Sequence, residues 1–230
     1  MSLLFEGQYF DYLMSRPPLN SSQIYGHGSS TMLFTYADQL YRLTRQGSGH
    51  NFVAIESASG NPYVPRVIND FGPVAPSDED IEDFYWLAQV ERLQDLDPAD
   101  ALTQRLEALL VELTDDEPQL SGEELKQFAK RCIERVNEGS EFSGLLETLV
   151  TMAAFAYAHE AMADIKLDNV MLRPDTKELV LADPICDTFF GLDTVQREKM
   201  EQVRRCVLIE TAGRSGHAGS ADVKDHVERL

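Results

Sequence analysis

The stretch that decides the fold covers residues 157–172 and reads YAHEAMADIKLDNVML. It begins at the end of an apolar helix pattern and closes with a short apolar strand at 170–172. In the loop between them, Lys166 follows Asp164 by two residues and Asn169 follows it by five. A turn and a second apolar run at 179–182 then lead to Asp183, which we expect to return close to Asn169 because the two short runs pair as a hairpin.

These four polar residues have the chemistry that phosphoryl transfer needs. The reaction requires a carboxylate that orients the attacking hydroxyl, oxygen ligands for Mg²⁺ and cations on the phosphates. Asp164 is predicted to orient the hydroxyl and Lys166 to supply the cation. Asn169 and Asp183 offer the hard oxygen atoms that suit Mg²⁺. The competing interpretation is a surface loop between a helix and a hairpin, in which Asn and Asp serve as turn formers.

The first 93 residues are predicted to be rich in β-structure. An amphipathic helix within residues 1–22 is stopped by Pro17-Pro18. The hydrophobic pattern then predicts, in order, a glycine turn at 26–30, hairpin strands at 31–36 and 39–44, a helix at 51–59, a strand at 66–71 and a buried strand at 84–90.

The second half is predicted to be mainly helical, with apolar residues at helical spacing in 99–113, 121–137 and 142–159. Ser121 and Glu124 have the form of a capping box at the start of the second of these helices. After the hairpin at 170–182, one more helix is expected at 193–210. The order indicates an α+β fold with two unlike lobes. The predicted parts are a helical extension at 1–22, a β-rich N-lobe at 23–93, a helical C-lobe at 94–210 and a flexible tail at 211–230.

Composition narrows the classes of function. The 230 residues carry a net charge of -19, from 39 acidic and 20 basic side chains. Direct nucleic-acid binding is disfavoured because it relies on basic residues, whereas a partner with a basic surface would be attracted. The alternative is that the acidity only promotes solubility. The apolar runs are too short to span a bilayer, and the first ten residues lack the basic start of a secretory signal. With three cysteines, read as reduced thiols, the expected location is the cytoplasm.

The spacing of Asp164, Lys166 and Asn169 resembles the catalytic loop of protein kinases. The chain looks most like the early serine/threonine kinases of T-odd (podovirus-type) phages, in which a metal motif ends in Asp-Pro, as Asp183-Pro184 does here. The resemblance covers about 22–210, although only 155–185 is specific. It implies a reduced two-lobe protein-kinase-like fold that uses ATP and Mg²⁺. It also implies phosphorylation of host proteins in the host bacterial cytoplasm, in support of host takeover.

The resemblance also assigns the nucleotide-binding residues upstream. The turn that contains Gly26, Gly28 and Ser29 would cradle the phosphates with its backbone N–H groups. Arg42 would stand where kinases carry a lysine on the third strand, with Glu56 as its ion-pair partner. The alternative is an ordinary surface ion pair or none. The backbone of the segment from Glu91 to Leu93 would bind adenine.

Three departures from the kinase pattern stand out. Met162 occupies the place of the usual histidine two residues before Asp164. Arg42 replaces the lysine, and its guanidinium is a bulkier fixed fork. Only 47 residues follow Asp183, without an Ala-Pro-Glu motif, so the peptide-binding platform is expected to be reduced.

Three functions therefore compete. The first is an active minimal kinase that uses all four residues of the loop and hairpin. The second is a kinase-derived binding protein that inhibits or redirects a host protein without catalysis, which the acidity and the short C-lobe favour. The third is a small-molecule phosphotransferase of the aminoglycoside type, although such proteins usually have histidine before the catalytic Asp and a larger helical lobe.

Overall fold

A five-stranded antiparallel sheet forms the first half of the protein. The computed structural model describes residues 5–80, 82–186 and 190–218. The strands lie in the order β1-β2-β3-β5-β4. Their bounds are Gln23–His27 (β1), Thr31–Tyr36 (β2), Gln39–Thr44 (β3), Val67–Pro76 (β4) and Phe84–Val90 (β5). The expected hairpin is confirmed, because β2 and β3 pair in unbroken register from Thr31 opposite Thr44 to Tyr36 opposite Gln39.

The sheet has two different faces because side chains alternate along each strand. On β2, Met32 and Phe34 are buried in one hydrophobic cluster, whereas Leu33 between them points to the other side. On β3, Tyr41 and Leu43 belong to the first face. Leu40 belongs to the second, where it lies opposite Val90 of β5. The second face is the one that borders the cleft described below.

Three helices form the core of the second half: α3 (Ala101–Thr114), α4 (Gly122–Asn137) and α5 (Ser143–Ala158). Helix α3 begins at Asp100, whose carboxylate accepts hydrogen bonds from the N–H groups of Leu102 and Thr103. Helix α4 begins at the predicted capping box of Ser121 and Glu124. Together with part of α2 (Gly47–Ala58), the three helices bury one large apolar cluster.

Two pairs of short strands involve the quoted stretch, and one of their strands comes from the loop between α3 and α4. β6 (Gln119–Leu120) pairs with β7 (Ala163–Asp164), and β8 (Val170–Leu172) pairs with β9 (Leu179–Leu181). The predicted hairpin after Asn169 is therefore confirmed. It is joined to the segment after β5 by the backbone groups of Gln94 and Leu172, which exchange two hydrogen bonds of 2.9 and 2.8 Å.

The last helix, α6 (Thr194–Ala218), lies apart from the helical core. Its residues Met200, Val203 and Val207 are buried against the sheet, in the same cluster as residues of α1 (Gln8–Met14). The expectation that all of 94–210 forms one helical lobe is therefore wrong for α6. It also continues eight residues past Glu210, into the predicted tail, and residues 219–230 lie outside the described part.

Other element bounds differ locally from the prediction. Helix α2 begins at Gly47 rather than at 51, and β4 extends to Pro76 rather than 71. Gly26 lies in β1, at a bulge opposite Leu33, rather than in a turn. Within the described ranges, no helix is both long enough and apolar enough to cross a membrane.

Candidate functional site

A cleft of about 390 Å³ lies between the sheet and the β8–β9 hairpin. Its sheet side is made by Arg42 and by apolar residues of the second face such as Leu40 and Val90, with His27 and Thr31 at the end of the β1–β2 hairpin. Its back is the segment 91–93, which connects β5 to the helical half. The opposite side contains Asn169 and Asp183, together with Met171 of β8. The cleft therefore combines an apolar interior with polar groups along one edge, as small-molecule sites usually do.

The predicted loop residues Asp164, Lys166 and Asn169 contact one another. Asn169 donates from Nδ2 to the backbone oxygen of Asp164 at 2.7 Å and to its Oδ2 at 3.0 Å. Lys166 Nζ lies 2.6 Å from the same Oδ2. The Asp164 side chain is only 13% exposed, and its carboxylate raises the pKa of Lys166. Lys166 and Asn169 therefore both bind Oδ2 of Asp164, and these two contacts fix the orientation of its carboxylate.

The backbone brings Asp183 back to this loop. The N–H of Asp164 donates to the carbonyl of Pro184 at 2.8 Å, and the N–H of Ala182 donates to the carbonyl of Asn169 at 2.8 Å. A bridge between Ala163 and Ile185 extends the same contact. Asp164, Asn169 and Asp183 are therefore held together by hydrogen bonds of the main chain.

The carboxylate of Asp183 is bound from the sheet side. Arg42 donates from Nη2 to Oδ1 at 2.7 Å, and the Arg42 side chain is 9% exposed. The Gln46 amide is assigned from its neighbours, and in the orientation that satisfies them Nε2 donates to Oδ1 and Oδ2 at 2.9 and 3.2 Å. One charged donor, Arg42, and one neutral donor, Gln46, thus join the sheet to Asp183 across the cleft.

The expected ion pair between Arg42 and Glu56 is absent among the described residues. The Glu56 carboxylate instead accepts a hydrogen bond of 2.8 Å from Asn61, and Glu56 does not line the cleft. The pairing prediction is wrong because α2 begins immediately after β3. Its first turn, which contains His50, therefore faces the cleft in place of the later turn that carries Glu56.

His50 is the cleft residue that sequence reasoning missed on α2. It is 2% exposed, and its Nε2 lies 3.0 Å from Asp70 Oδ1. Burial is the largest cause that lowers the pKa of His50, and the charge of Arg42 lowers it further, against the opposing effect of Asp70. A neutral ring donates from Nε2 to Asp70 in this geometry. Its only sequence signal is a polar residue after two glycines at a helix start.

The pH dependence of stability provides a test of the neutral His50. Its pKa is lower in the folded state, so the unfolded chain binds more protons below about pH 6.5. Stability should therefore be fully present above that pH and fall as the pH is lowered to about 5.5. Urea unfolding of His50→Gln at both pH values should show a smaller difference than the wild type. A difference between the two pH values as large in His50→Gln as in the wild type would contradict the assignment.

The glycine turn is only partly at the cleft. Gly28 lines it, and its N–H donates to the carbonyl of Thr31 at 2.8 Å. Gly26 and Ser29 are not among the residues that line the cleft. The turn is therefore confined to 28–30, and of the three predicted phosphate-binding residues only Gly28 lies at the wall.

Glu91 and Leu93, which the resemblance places in an adenine-binding segment, both line the cleft. The N–H of Glu91 is already used, because it donates to the carbonyl of Arg66 at 3.0 Å. The Glu91 side chain accepts hydrogen bonds from Arg173, including one of 2.7 Å from Nη2 to Oε1. The N–H and the side chain of Glu91 are therefore both occupied by protein partners.

Arg173 is a second buried residue near the cleft that the sequence did not indicate. Its side chain is 1% exposed. It donates to both carboxylate oxygens of Glu91, to Glu178 and to the carbonyl oxygens of Pro62 and Val64. It thus connects the segment behind the cleft, the β8–β9 hairpin and the loop that follows α2. Nothing in its sequence position, next to a Pro-Asp-Thr-Lys turn, distinguishes it from an exposed arginine.

The residues present fit a nucleotide-bound Mg²⁺. Asn169 uses Nδ2 for Asp164, which leaves its Oδ1 for a cation, and Asp183 adds a carboxylate. Within the described ranges, no group of three or more His, Cys, Asp or Glu side chains has the form of a metal site. Mg²⁺ that is bound with phosphates needs only one or two side-chain ligands, so this donor set suits Mg²⁺ that arrives with a nucleotide.

Comparisons with known proteins do not assign the chain to a family. No family model matches it, and a search of curated proteins gives no match. The function is therefore argued from the geometry of the cleft and the chemistry of its residues.

Proposed function

We propose that the protein is a Mg²⁺- and ATP-dependent phosphotransferase with a reduced protein-kinase-like fold. The observation that carries the proposal is the proximity of four residues: Asn169 and Asp183 line the apolar cleft, and Asp164 and Lys166 lie beside Asn169 without lining it. A loop of turn formers would not require Asp164 to be nearly buried between an ammonium and an amide. The spacing of the four residues and their contacts thus support the same chemistry independently.

Each residue has a role in this proposal. Asp164 orients the acceptor hydroxyl and takes up its proton, while Lys166 and Asn169 fix the carboxylate. Asn169 and Asp183 would hold Mg²⁺, which would neutralise charge on the phosphates. Arg42 exchanges Asp183 for a phosphate oxygen. The hydroxyl oxygen forms a bond to the γ-phosphorus, the bond from this phosphorus to the bridging oxygen breaks, and ADP leaves.

The proposed acceptor is a serine or threonine of a host protein, in line with the resemblance to phage kinases. The charge of -19 favours a protein target with a basic surface. Nucleic acid and membrane are not proposed as partners. The proposed location is the host bacterial cytoplasm, where ATP and Mg²⁺ are abundant.

A second candidate is a kinase-derived protein that binds its host target without catalysis. The observation in its favour is the course of the chain after Asp183. Helix α6 returns to the sheet, so the described residues beyond 186 add no helix to the helical core. A peptide acceptor would therefore find little protein surface to bind below the cleft. A protein that acts only by binding its target does not need such a surface.

Ligand-dependent melting tests the nucleotide site. At about a hundredfold excess of ligand over the dissociation constant, binding should stabilise the fold by about 2.7 kcal/mol. Asp183→Ala should remove the part that depends on Mg²⁺, because it removes a cation ligand. Asp175→Ala, in the exposed turn of the β8–β9 hairpin, should respond as the wild type does.

The measurement is the melting temperature with ATP alone and with ATP plus millimolar Mg²⁺. A wild-type protein that melts at the same temperature under all these conditions has no such site. The phosphotransferase proposal would then fail, and the binding-protein candidate would gain.

A further inference from the structure

Gln46 lies directly between β3 and α2, and its side chain is buried but does not line the cleft. Its amide bridges two parts of the site. Nε2 donates to both carboxylate oxygens of Asp183, and Oε1 accepts a hydrogen bond of 2.8 Å from Ser30 Oγ in the glycine turn. This is the orientation in which both ends of the buried amide have partners of the right type.

The main chain of Gln46 is fixed on both sides. Its N–H donates to Thr44 Oγ1 at 3.1 Å, and its carbonyl accepts the N–H of His50 at 2.9 Å in the first turn of α2. Thr44 also donates from Oγ1 to the carbonyl of Ser30 at 3.1 Å. The end of β3, the start of α2 and the turn therefore form one hydrogen-bonded unit, and the Gln46 side chain extends from it to Asp183.

Arg42 and Gln46 bind the Asp183 carboxylate in different ways. Arg42 is charged and reaches only Oδ1, so a cation at Asp183 would repel it. Gln46 is neutral and spans both oxygens, so it can keep its hydrogen bonds while the carboxylate binds a cation. Each carboxylate oxygen has lone pairs for both partners.

We propose that Gln46 is a positioning residue that holds the Asp183 carboxylate in its cation-binding orientation and ties it to the turn at 28–30. This role rests on the proposed function, since it acts on the nucleotide-bound cation through Asp183. It contacts neither nucleotide nor metal. A cation that settles on Asp183 therefore also steadies the turn over the phosphates through the Gln46 and Ser30 side chains.

The first test is the Mg²⁺ dependence of ATP binding in Gln46→Met. The methionine side chain has a similar length but has neither the N–H donors nor the oxygen of the amide. Loss of a hydrogen bond to a ligating carboxylate typically weakens metal affinity by about 10- to 100-fold. The Mg²⁺ concentration at half of the maximal melting shift should rise by roughly that factor, while the shift from ATP without metal stays unchanged. Gln127→Met, on the exposed side of α4, is the matched control and should behave as the wild type.

A second variant separates the hydrogen bonds that the Gln46 amide donates to Asp183 from the one that it accepts from Ser30. Glu at position 46 still accepts from Ser30 but cannot donate to Asp183 when ionised. Gln46→Glu should therefore weaken the Mg²⁺ response yet keep the wild-type rate of amide hydrogen exchange at 28–31. In Gln46→Met, exchange at 28–31 should become faster relative to α3.

The exchange measurement needs no ligand, so it tests the hydrogen bond between Gln46 and Ser30 even when ATP does not bind. A wild-type protein without a Mg²⁺-ATP response contradicts the proposed function and the positioning role, but leaves the link to Ser30 to be judged by exchange. If wild type responds and Gln46→Met matches it in both Mg²⁺ dependence and exchange, the inference on Gln46 alone is overturned.

Discussion

Asp164→Asn is expected to remove most phosphoryl transfer while ATP binding stays nearly intact. The amide keeps the shape of the side chain but cannot take up the proton of the acceptor hydroxyl. A general base typically contributes about 10² to 10⁴ in rate, and we expect a loss of that size. Binding should survive because Asn169 and Asp183, rather than Asp164, would hold the cation. The measurement is transfer from labelled ATP with Mg²⁺, with and without bacterial host lysate.

Asp116→Asn makes the same chemical change at a residue that does not line the cleft. Asp116 lies in the exposed loop after α3 with a φ of 63°, a conformation that Asn tolerates well. This variant should transfer phosphate at the wild-type rate. If Asp164→Asn acts on the host target as strongly as wild type does, the chemistry is dispensable and the protein works by binding.

Much of the fold could be predicted because the decisive signals are local. The β2–β3 hairpin, strand β5, the capping box of α4 and the β8–β9 hairpin all follow from residues close together in sequence. The proximity of the four polar residues of the loop and the hairpin was predictable for the same reason. Asp164, Lys166 and Asn169 share one loop, and a hairpin of fixed length returns Asp183 to them.

The start of α2 was missed because glycines argue against a helix. Here Gly49 is needed for packing: a Cβ at this position would lie 2.8 Å from the carbonyl oxygen of Ile185. The first turn of α2 can therefore approach the segment after Asp183 only without a side chain there. This close approach places His50 and Gln46, rather than Glu56, beside the site.

Long-range packing accounts for the other differences. Helix α6 has a regular apolar pattern, but the pattern does not say which surface it covers. Met200, Val203 and Val207 fit the face of the sheet that α1 leaves open. Asp183 lies 141 residues from Arg42, and Glu91 lies 82 residues from Arg173, so no local spacing indicates these two pairs.

The largest expected effect on stability is that of Arg173→Ala. Removal of one partner from a buried ion pair typically costs about 3 to 5 kcal/mol, because the other charge is left buried without compensation. Glu91 would be that charge, since its side chain is 13% exposed. The carbonyl oxygens of Pro62 and Val64 would also lose their donor. For a chain of this size we expect a fall in melting temperature of roughly 6 to 20 °C.

The pH dependence of this loss has a defined sign. Burial is the largest influence on the pKa of Glu91 and raises it, but the hydrogen bonds and charge of Arg173 and the N–H of Arg66 lower it overall. A carboxyl group with a lowered pKa contributes stability that is present above its unfolded pKa. That contribution is lost as the pH falls through the folded value. The difference between wild type and Arg173→Ala should therefore be full at pH 7 and shrink below about pH 4.3.

Arg105→Ala provides the matched control, because Arg105 also binds a glutamate with two hydrogen bonds. Its partner is Glu141, and both side chains are about half exposed. Exposed pairs of this kind contribute little to stability, so this variant should melt close to the wild type. Because Arg173 joins the hairpin, the loop after α2 and the segment behind the cleft, its loss should also weaken ATP binding at temperatures where the variant is folded. Equal melting of Arg173→Ala and Arg105→Ala would show that the buried cluster does not hold these three segments together.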